Sequence, residues 1–311
     1  MAAGHDDIFH HVRDSRVFEL PGGLKPELPP VLGLELTKYM VLQVVAAVTV
    51  FLIFRGLARR VADGQPAQGR WWNFWEALAV FIRDEIVRPA IGDGGHHDDH
   101  DEHAQPAAID QAAEDEAQPL RSVVGMAHAT TGPHPADKYL PFVWSCFFYV
   151  LICNLLGAIP WLGSATANIN VTGALAVTAF GAVLIAGSQE LGFSGFWLGL
   201  CPSMELPPAL KIILLPMIWV IEVLGLFIKH GVLAVRLFAN MMGGHTVIAV
   251  ILAFIAAAAH SDSTWLYYVV LPSSILGQIA IGLLELFVAF LQAYVFAFLT
   301  ALFIGTAIHP H

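Results

Sequence analysis

Two apolar stretches near the C-terminus, about 209–259 and 265–308, are far longer than one membrane crossing requires. A helix of about 45 residues measures nearly 70 Å, whereas the hydrocarbon core of a bilayer is about 30 Å thick. A short polar turn, His260 to Thr264, separates the two stretches. We therefore predict a long helical hairpin. Pro216 and Pro272 can bend it, but its excess length predicts strong tilting, as in a hairpin packed on a curved partner.

Three earlier apolar segments, 36–54, 139–159 and 170–187, are each long enough to cross a membrane. Arg55, Arg59, Arg60 and Arg70 follow the first, so the positive-inside rule places that end in the cytoplasm and the N-terminus outside. With 57% hydrophobic and 13% charged residues, the chain is predicted to be an all-α polytopic membrane protein with about five crossings and a cytoplasmic C-terminus. The net charge of -10 argues against nucleic-acid binding.

The remaining segments divide the chain further. Residues 1–35 are predicted to be an extramembrane segment without a cleavable signal peptide, and 71–90 a Trp-rich amphipathic helix lying in the membrane interface. Residues 92–135, which contain HHDDHDEH, are predicted to be a disordered acidic and His-rich cytoplasmic insert. Residues 192–208 are predicted to be a loop, and 139–308 a four-helix core. Cys146, Cys153 and Cys201 form no CxxC pair and are interpreted as free buried thiols.

Arg236 is the most informative single residue, because it lies far from both ends of an apolar helix. A guanidinium stays protonated in proteins, and burying one at mid-bilayer costs from about 3 to above 10 kcal/mol, depending on the method. Such a residue persists only where it faces a carboxylate, water or a polar pathway. Snorkelling to the headgroups is the alternative, and the distance of Arg236 from the helix ends disfavours it.

Helical periodicity brings further polar residues into two groups on the hairpin. Glu222, Lys229 and Arg236 are spaced by seven and share one stripe, because seven residues drift by only about 20° around a helix. A turn near Asp262 pairs positions whose numbers sum to about 525 in an antiparallel hairpin. This register groups Arg236 with Gln292 and Asn240, and His245 with Glu285. A histidine and a glutamate at low dielectric can exchange protons near neutral pH, although each could instead be a structural polar residue.

The stretches RLFANMMGGH (Arg236 to His245) and LLELFVAFLQAYVFAFLTALF (Leu283 to Phe303) closely resemble subunit a of F-type ATP synthases. NLLGAIPWLGSATANINVTGALAV (Asn154 to Val177) is similar to the second and third spans of that family. The resemblance covers most of residues 139–308. Residues 1–135 match only in layout, and the His-rich insert is not a general feature of the family.

The resemblance implies the role of a stator subunit that forms two proton half-channels against a ring of c subunits, with subunit b of the peripheral stalk as a second partner. It implies that Arg236 is the essential stator arginine, with Gln292 and Asn240 beside it. It implies that His245 and Glu285 are the outer proton-relay pair, in the order found in mitochondrial-type members. Glu222 would lie in the inner half-channel. Asn168 replaces an aspartate that is common in the family, which puts an ionisable role there in doubt.

Three further expectations follow. The implied location is a bacterial inner membrane. The sequence leaves H+ and Na+ open as the transported ion, and the His245 and Glu285 pair favours the proton. We expect no cofactor and no ATP chemistry in this chain, because it lacks a GxxxxGK[ST] loop. The intramembrane cation disfavours a metal-ion transporter, because it would repel a divalent metal, although the insert could bind metal weakly. A membrane protease is disfavoured because the HExxH and GxSxG motifs are absent from the sequence.

Overall fold

The computed structural model describes residues 37–62, 67–92, 134–159, 162–200, 208–260 and 264–308. Regular structure in these ranges is entirely helical, and five of the helices are long and apolar enough to cross a membrane. The fold is therefore the all-α polytopic membrane fold predicted above. The predicted N-terminal segment 1–35, most of the insert 92–135 and Cys201 lie outside the described residues.

The first span, α1, comprises Lys38–Val61, so the helix continues for seven residues beyond Phe54, where the predicted apolar stretch ends. The helix continues because arginines are good helix formers and because cations near a helix C-terminus interact favourably with its dipole. Arg59 and Arg60 lie in that last turn, and the Arg60 guanidinium lies 4.1 Å from the centre of the Trp72 ring. This contact joins the end of α1 to the next helix.

The amphipathic segment forms one continuous helical rod of α2 (Arg70–Phe81), a π-helical turn (Ile82–Val87) and α3 (Arg88–Gly92). Trp144 donates a hydrogen bond from its indole to the carbonyl of Ala79, at 2.9 Å. The guanidinium of Arg88 binds Asp137 at 3.2–3.3 Å, which lowers the pKa of that carboxyl. The rod is thus held against the start of the second span by polar contacts at two levels.

The second and third spans are α4 (Leu140–Gly157) and α5 (Ile169–Leu191). Cys146 and Cys153 on α4 are free and buried, as predicted. The short helix α6 (Phe193–Gly199) lies within the predicted loop 192–208, which corrects that prediction. Burial stabilises α6, because the ring of Phe196 is only 4% exposed and packs where Gly187 leaves no side chain.

The hairpin consists of α7 (Pro208–Ala259), of 52 residues, and α8 (Thr264–Ile308), of 45 residues, which pack on each other. Both helices run through their internal prolines, Pro216 and Pro272. We call the connection around 260–264 the turn end of the hairpin and the opposite side, where α8 finishes, the open end. The predicted long hairpin is confirmed; its tilt in a membrane stays a prediction.

A stripe of small residues on α8 lets neighbouring helices approach closely. Ala289, Ala293, Ala297 and Ala301 recur at every fourth position, and all are fully buried. Small side chains at this spacing allow helix backbones to approach in membranes, where packing rather than the hydrophobic effect drives association. Aromatic residues of α4 supply the bulk opposite them, as in the edge-to-face pair of Phe147 and Phe290, with centroids 6.0 Å apart.

A buried polar network fixes α4 to α8 beside this stripe. Asn154 donates from Nδ2 to the Ala289 carbonyl at 3.2 Å and accepts from the Thr166 hydroxyl at 2.9 Å. Thr166 in turn lies 2.9 Å from Ser164 Oγ. Because Ala289 lies between Glu285 and Gln292 on α8, this network holds the segment that carries both residues.

We expect Asn154→Ala to destabilise the fold by about 1–3 kcal/mol, because it leaves the Thr166 hydroxyl without its buried acceptor. The midpoint of thermal denaturation of the detergent-solubilised protein should fall. Asn170→Ala is the matched control, since Asn170 is exposed at the start of α5. An equal fall in both variants would contradict a structural role for the network.

Candidate functional site

Arg236 lies near the middle of α7 on a face that the other described helices leave uncovered. The residue is exposed, and so are Val232 and Val235 beside it, at 48% and 55%. In the part of the chain that the structure describes, its guanidinium makes no hydrogen bond or ion pair. A permanent cation thus lies on an otherwise apolar helix face, where it requires an anionic or polar partner from outside the described residues.

The same face carries small residues. Ala239 and Gly243 follow Arg236 at spacings of three and seven and are exposed. A Cβ atom placed on Gly243 would meet nothing within 4 Å. The face therefore leaves room for another helix backbone to approach the guanidinium closely.

Glu285 packs against α7 at Gly244, the residue before His245, on the turn-end side of Arg236. A Cβ atom on Gly244 would lie 3.0 Å from Glu285 Oε1, so Glu285 packs at the level that the predicted register gives it. Glu285 is 7% exposed and His245 is half-buried. Glu285 Oε1 and His245 Nε2 are both buried and have no hydrogen-bonding partner among the described residues.

Sequence reasoning missed two further polar residues on the turn-end side of Arg236. Gln278, one heptad before Glu285 on α8, also buries an unpartnered atom, Nε2. Lys38, at the start of α1, is 4% exposed and lies close enough to His245 to interact with it electrostatically. The heptad spacing of Gln278 was a signal available in the sequence, whereas nothing local links Lys38 to His245.

Glu222 and Lys229 lie on the open-end side of Arg236 and form an ion pair, with Lys229 Nζ 3.5 Å from Glu222 Oε1. Both side chains are about half exposed, at 48% and 50%. They line a cavity of about 340 Å³, which we call the open-end cavity. Its other walls come from α5, α6 and α8 and from Leu226 on α7; they include Leu191, Phe196, Leu200, Phe303, Thr306 and Ala307.

Gln292 and Asn240 are both half-buried, and the structure gives neither a hydrogen bond among the described residues. Their predicted grouping with Arg236 stays a prediction. Asn168 caps α5, because its side-chain oxygen accepts from the backbone N–H of Asn170 at 2.9 Å. An amide fills this structural position as well as an aspartate does.

Polar groups on the hairpin thus occupy two separate regions, with a fixed cation between them on the uncovered face. The turn-end group consists of a histidine and a carboxyl, His245 and Glu285, and the open-end cavity contains a carboxylate and an ammonium. Histidine and carboxyl side chains can both take up and release protons. A fixed positive charge between the two regions attracts anions such as carboxylates and repels other cations.

Comparison with known proteins gives one consistent result. A family model described as "ATP synthase A chain" matches residues 120–305. The chain is 34% identical over 318 aligned positions to "ATP synthase subunit a" of Chlorobium phaeobacteroides (strain DSM 266), covering 98% of this chain and 78% of that protein. It is 35% identical over 309 positions to the protein of that description from Pelodictyon phaeoclathratiforme, covering 97% and 75%. The Myxococcus xanthus protein of the same description is 34% identical over 283 positions, covering 90% and 76%.

Proposed function

Because this chain belongs to the ATP synthase A chain family, we propose that it is the stator subunit against which a ring of c subunits turns in the membrane. As a member of that family, the chain is a component of the membrane sector of an ATP synthase. The observation that carries the finer proposal is the exposed Arg236 on an apolar face lined by small residues. A rotor helix with an acidic side chain supplies a negative charge for the cation, fits in the space beside the small residues and packs on the apolar face.

The turn-end group is proposed as the outer half-channel. A proton from outside passes His245 and Glu285 and neutralises an ionised carboxylate on the rotor. The neutral carboxyl can then turn into lipid, whereas an ionised one is held back by the cost of desolvation. Each proton that crosses about 100 mV supplies about 2.3 kcal/mol to rotation.

The open-end cavity is proposed as the inner half-channel, with Glu222 at its wall. After nearly a full turn the rotor carboxyl returns to Arg236, loses its proton near Glu222 and is again stabilised as an anion by the guanidinium. Gln292 and Asn240 are proposed to lie beside this exchange point. In this scheme the N-terminus is outside and the C-terminus cytoplasmic, subunit b holds the chain still, and ATP chemistry takes place in other subunits.

Purification from native membranes tests the partner that this proposal requires. We expect the chain, solubilised in mild detergent, to co-purify with an oligomeric ring of a small acidic-site membrane protein and with a peripheral-stalk subunit. Cross-linking of cysteines placed at Val235 and on the ring protein should join the two chains. Isolation of the chain as a homodimer without a ring would refute the proposal.

A further inference from the structure

We propose that His230 is a proton-accepting residue behind the wall of the open-end cavity, taking a proton on Nε2 and returning it to the cavity. This inference rests on the proposed function, since it assigns a residue to the proposed inner half-channel. His230 is 4% exposed and lies on α7 between Glu222 and Arg236.

A hydrogen bond fixes which ring nitrogen is free. His230 Nδ1 lies 2.8 Å from the carbonyl oxygen of Leu226, one turn earlier on the same helix. A carbonyl only accepts, so Nδ1 carries the hydrogen and Nε2 of the neutral ring carries a lone pair. Nε2 is buried and has no partner among the described residues. A buried acceptor without a donor weakens a fold, so a purely space-filling role would be served better by an apolar side chain.

Two aromatic rings create an environment that also tolerates the protonated form. The centroid of the His230 ring lies 5.1 Å from that of Phe180 on α5 and 4.9 Å from that of Phe303 on α8. The face of an aromatic ring attracts a cation at separations of up to about 6 Å. The two rings offset part of the cost that burial imposes on an imidazolium, while Nδ1 keeps its bond to Leu226.

The open-end cavity is the source of the proton. Leu226 and Phe303, which both contact the His230 ring, line this cavity together with Glu222 and Lys229. His230 itself does not line the cavity and its Nε2 is buried, so transfer requires the side chain of Leu226 or Phe303 to move aside. A hydronium ion admitted in this way would transfer its proton to the Nε2 lone pair, leaving water and an imidazolium; the reverse step regenerates both.

The charged groups around His230 are few. Glu222 and Lys229 lie on its own helix, and α5 carries Glu190 near its end. Neither α6 nor residues 286–308 of α8 contribute a charged side chain. Lys229 opposes an imidazolium at His230, and its ion pair with Glu222 offsets part of that repulsion.

The test uses the complete complex in inverted membrane vesicles, where ATP-driven pumping takes protons from the cytoplasmic side. We expect His230→Phe to lower the pumping rate by about three- to tenfold above about pH 7, because free protons are scarce there and the histidine lone pair binds them. Below about pH 6 the rate should change little. His260→Phe is the matched control: His260 makes the same bond to the carbonyl one turn earlier, at 2.8 Å, but is exposed. Its pH profile should equal that of the wild type.

A structural role for His230 would lower the rate by the same factor at every pH, and that result would overturn the inference. His230→Gln gives the same test if the phenylalanine variant does not assemble. If neither assembles, the ¹⁵N resonances of labelled histidine in the wild-type complex decide: a buried ring that titrates supports the inference, and one that stays neutral from about pH 5 to 9 overturns it. Blocked pumping in Arg236→Ala together with a wild-type profile in His230→Phe would reject this inference alone; normal pumping in Arg236→Ala would reject the proposed function itself.

Discussion

Arg236→Ala is expected to reduce ATP-driven proton pumping to the background of membranes that lack the complex, while the complex still assembles. The guanidinium is exposed and makes no hydrogen bond or ion pair among the described residues, so its removal breaks no contact that holds this chain together. In the proposed function, removal takes away the charge that attracts the rotor carboxylate and repels a leaking proton between the two polar regions. Acridine-dye fluorescence quenching in inverted vesicles measures pumping, and the subunit content of the purified complex measures assembly.

The control for Arg236→Ala is the same change at an exposed arginine elsewhere. Arg59 lies in the last turn of α1, away from the hairpin, and is exposed. Arg59→Ala should pump at the wild-type rate. Normal coupled pumping in Arg236→Ala would refute the role given to the guanidinium, and loss of the ring from the purified complex would show that the residue serves assembly instead.

The length and periodicity of the apolar stretches were sufficient to predict the hairpin and the level of Glu285 on it. The approach of Glu285 to Gly244 agrees with a pairing rule derived from the turn position alone. The pairing rule works because an α-helix has a fixed rise and twist per residue. The number of a residue therefore gives both its position along the helix axis and the direction in which its side chain points. The alanine stripe 289, 293, 297 and 301 was equally readable from the sequence by its four-residue spacing.

Features that depend on contacts between distant segments were not predictable in this way. Lys38 reaches His245 because the start of α1 packs near the short 3₁₀ turn Ala165–Ala167, which also contacts α7. The helix α6 forms in a Gly- and Pro-rich segment because Phe196 finds a cleft at Gly187. Burial of His230 likewise depends on Phe180 and Phe303, which lie on two other helices. The periodicity of α7 alone cannot predict these neighbours.

Exchanging His245 and Glu285 is the second change with a large expected effect. His245→Glu alone places two carboxyl groups together, and Glu285→His alone places two imidazoles together. Each single change should lower the pumping rate by about ten- to a hundredfold, because efficient proton transfer needs an acid and a base whose affinities for the proton are matched. The double exchange restores one group of each kind near Gly244, and we expect its rate to recover to within a few-fold of the wild type.

The double variant separates a working pair from two independent residues. Independent residues would give a double variant whose loss is the product of the single losses, whereas coupled residues give a much smaller one. Lys138 and Glu190 provide the matched control, because they form an exposed ion pair of 2.8 Å outside the hairpin, where such pairs contribute about 1 kcal/mol or less. Exchanging them singly or together should leave pumping unchanged. The loss of pumping in the double variant could instead equal the product of the losses in the two single variants. That result would mean that protons do not pass between His245 and Glu285. The outer half-channel would then have to run past Gln278 and Lys38 without these two side chains.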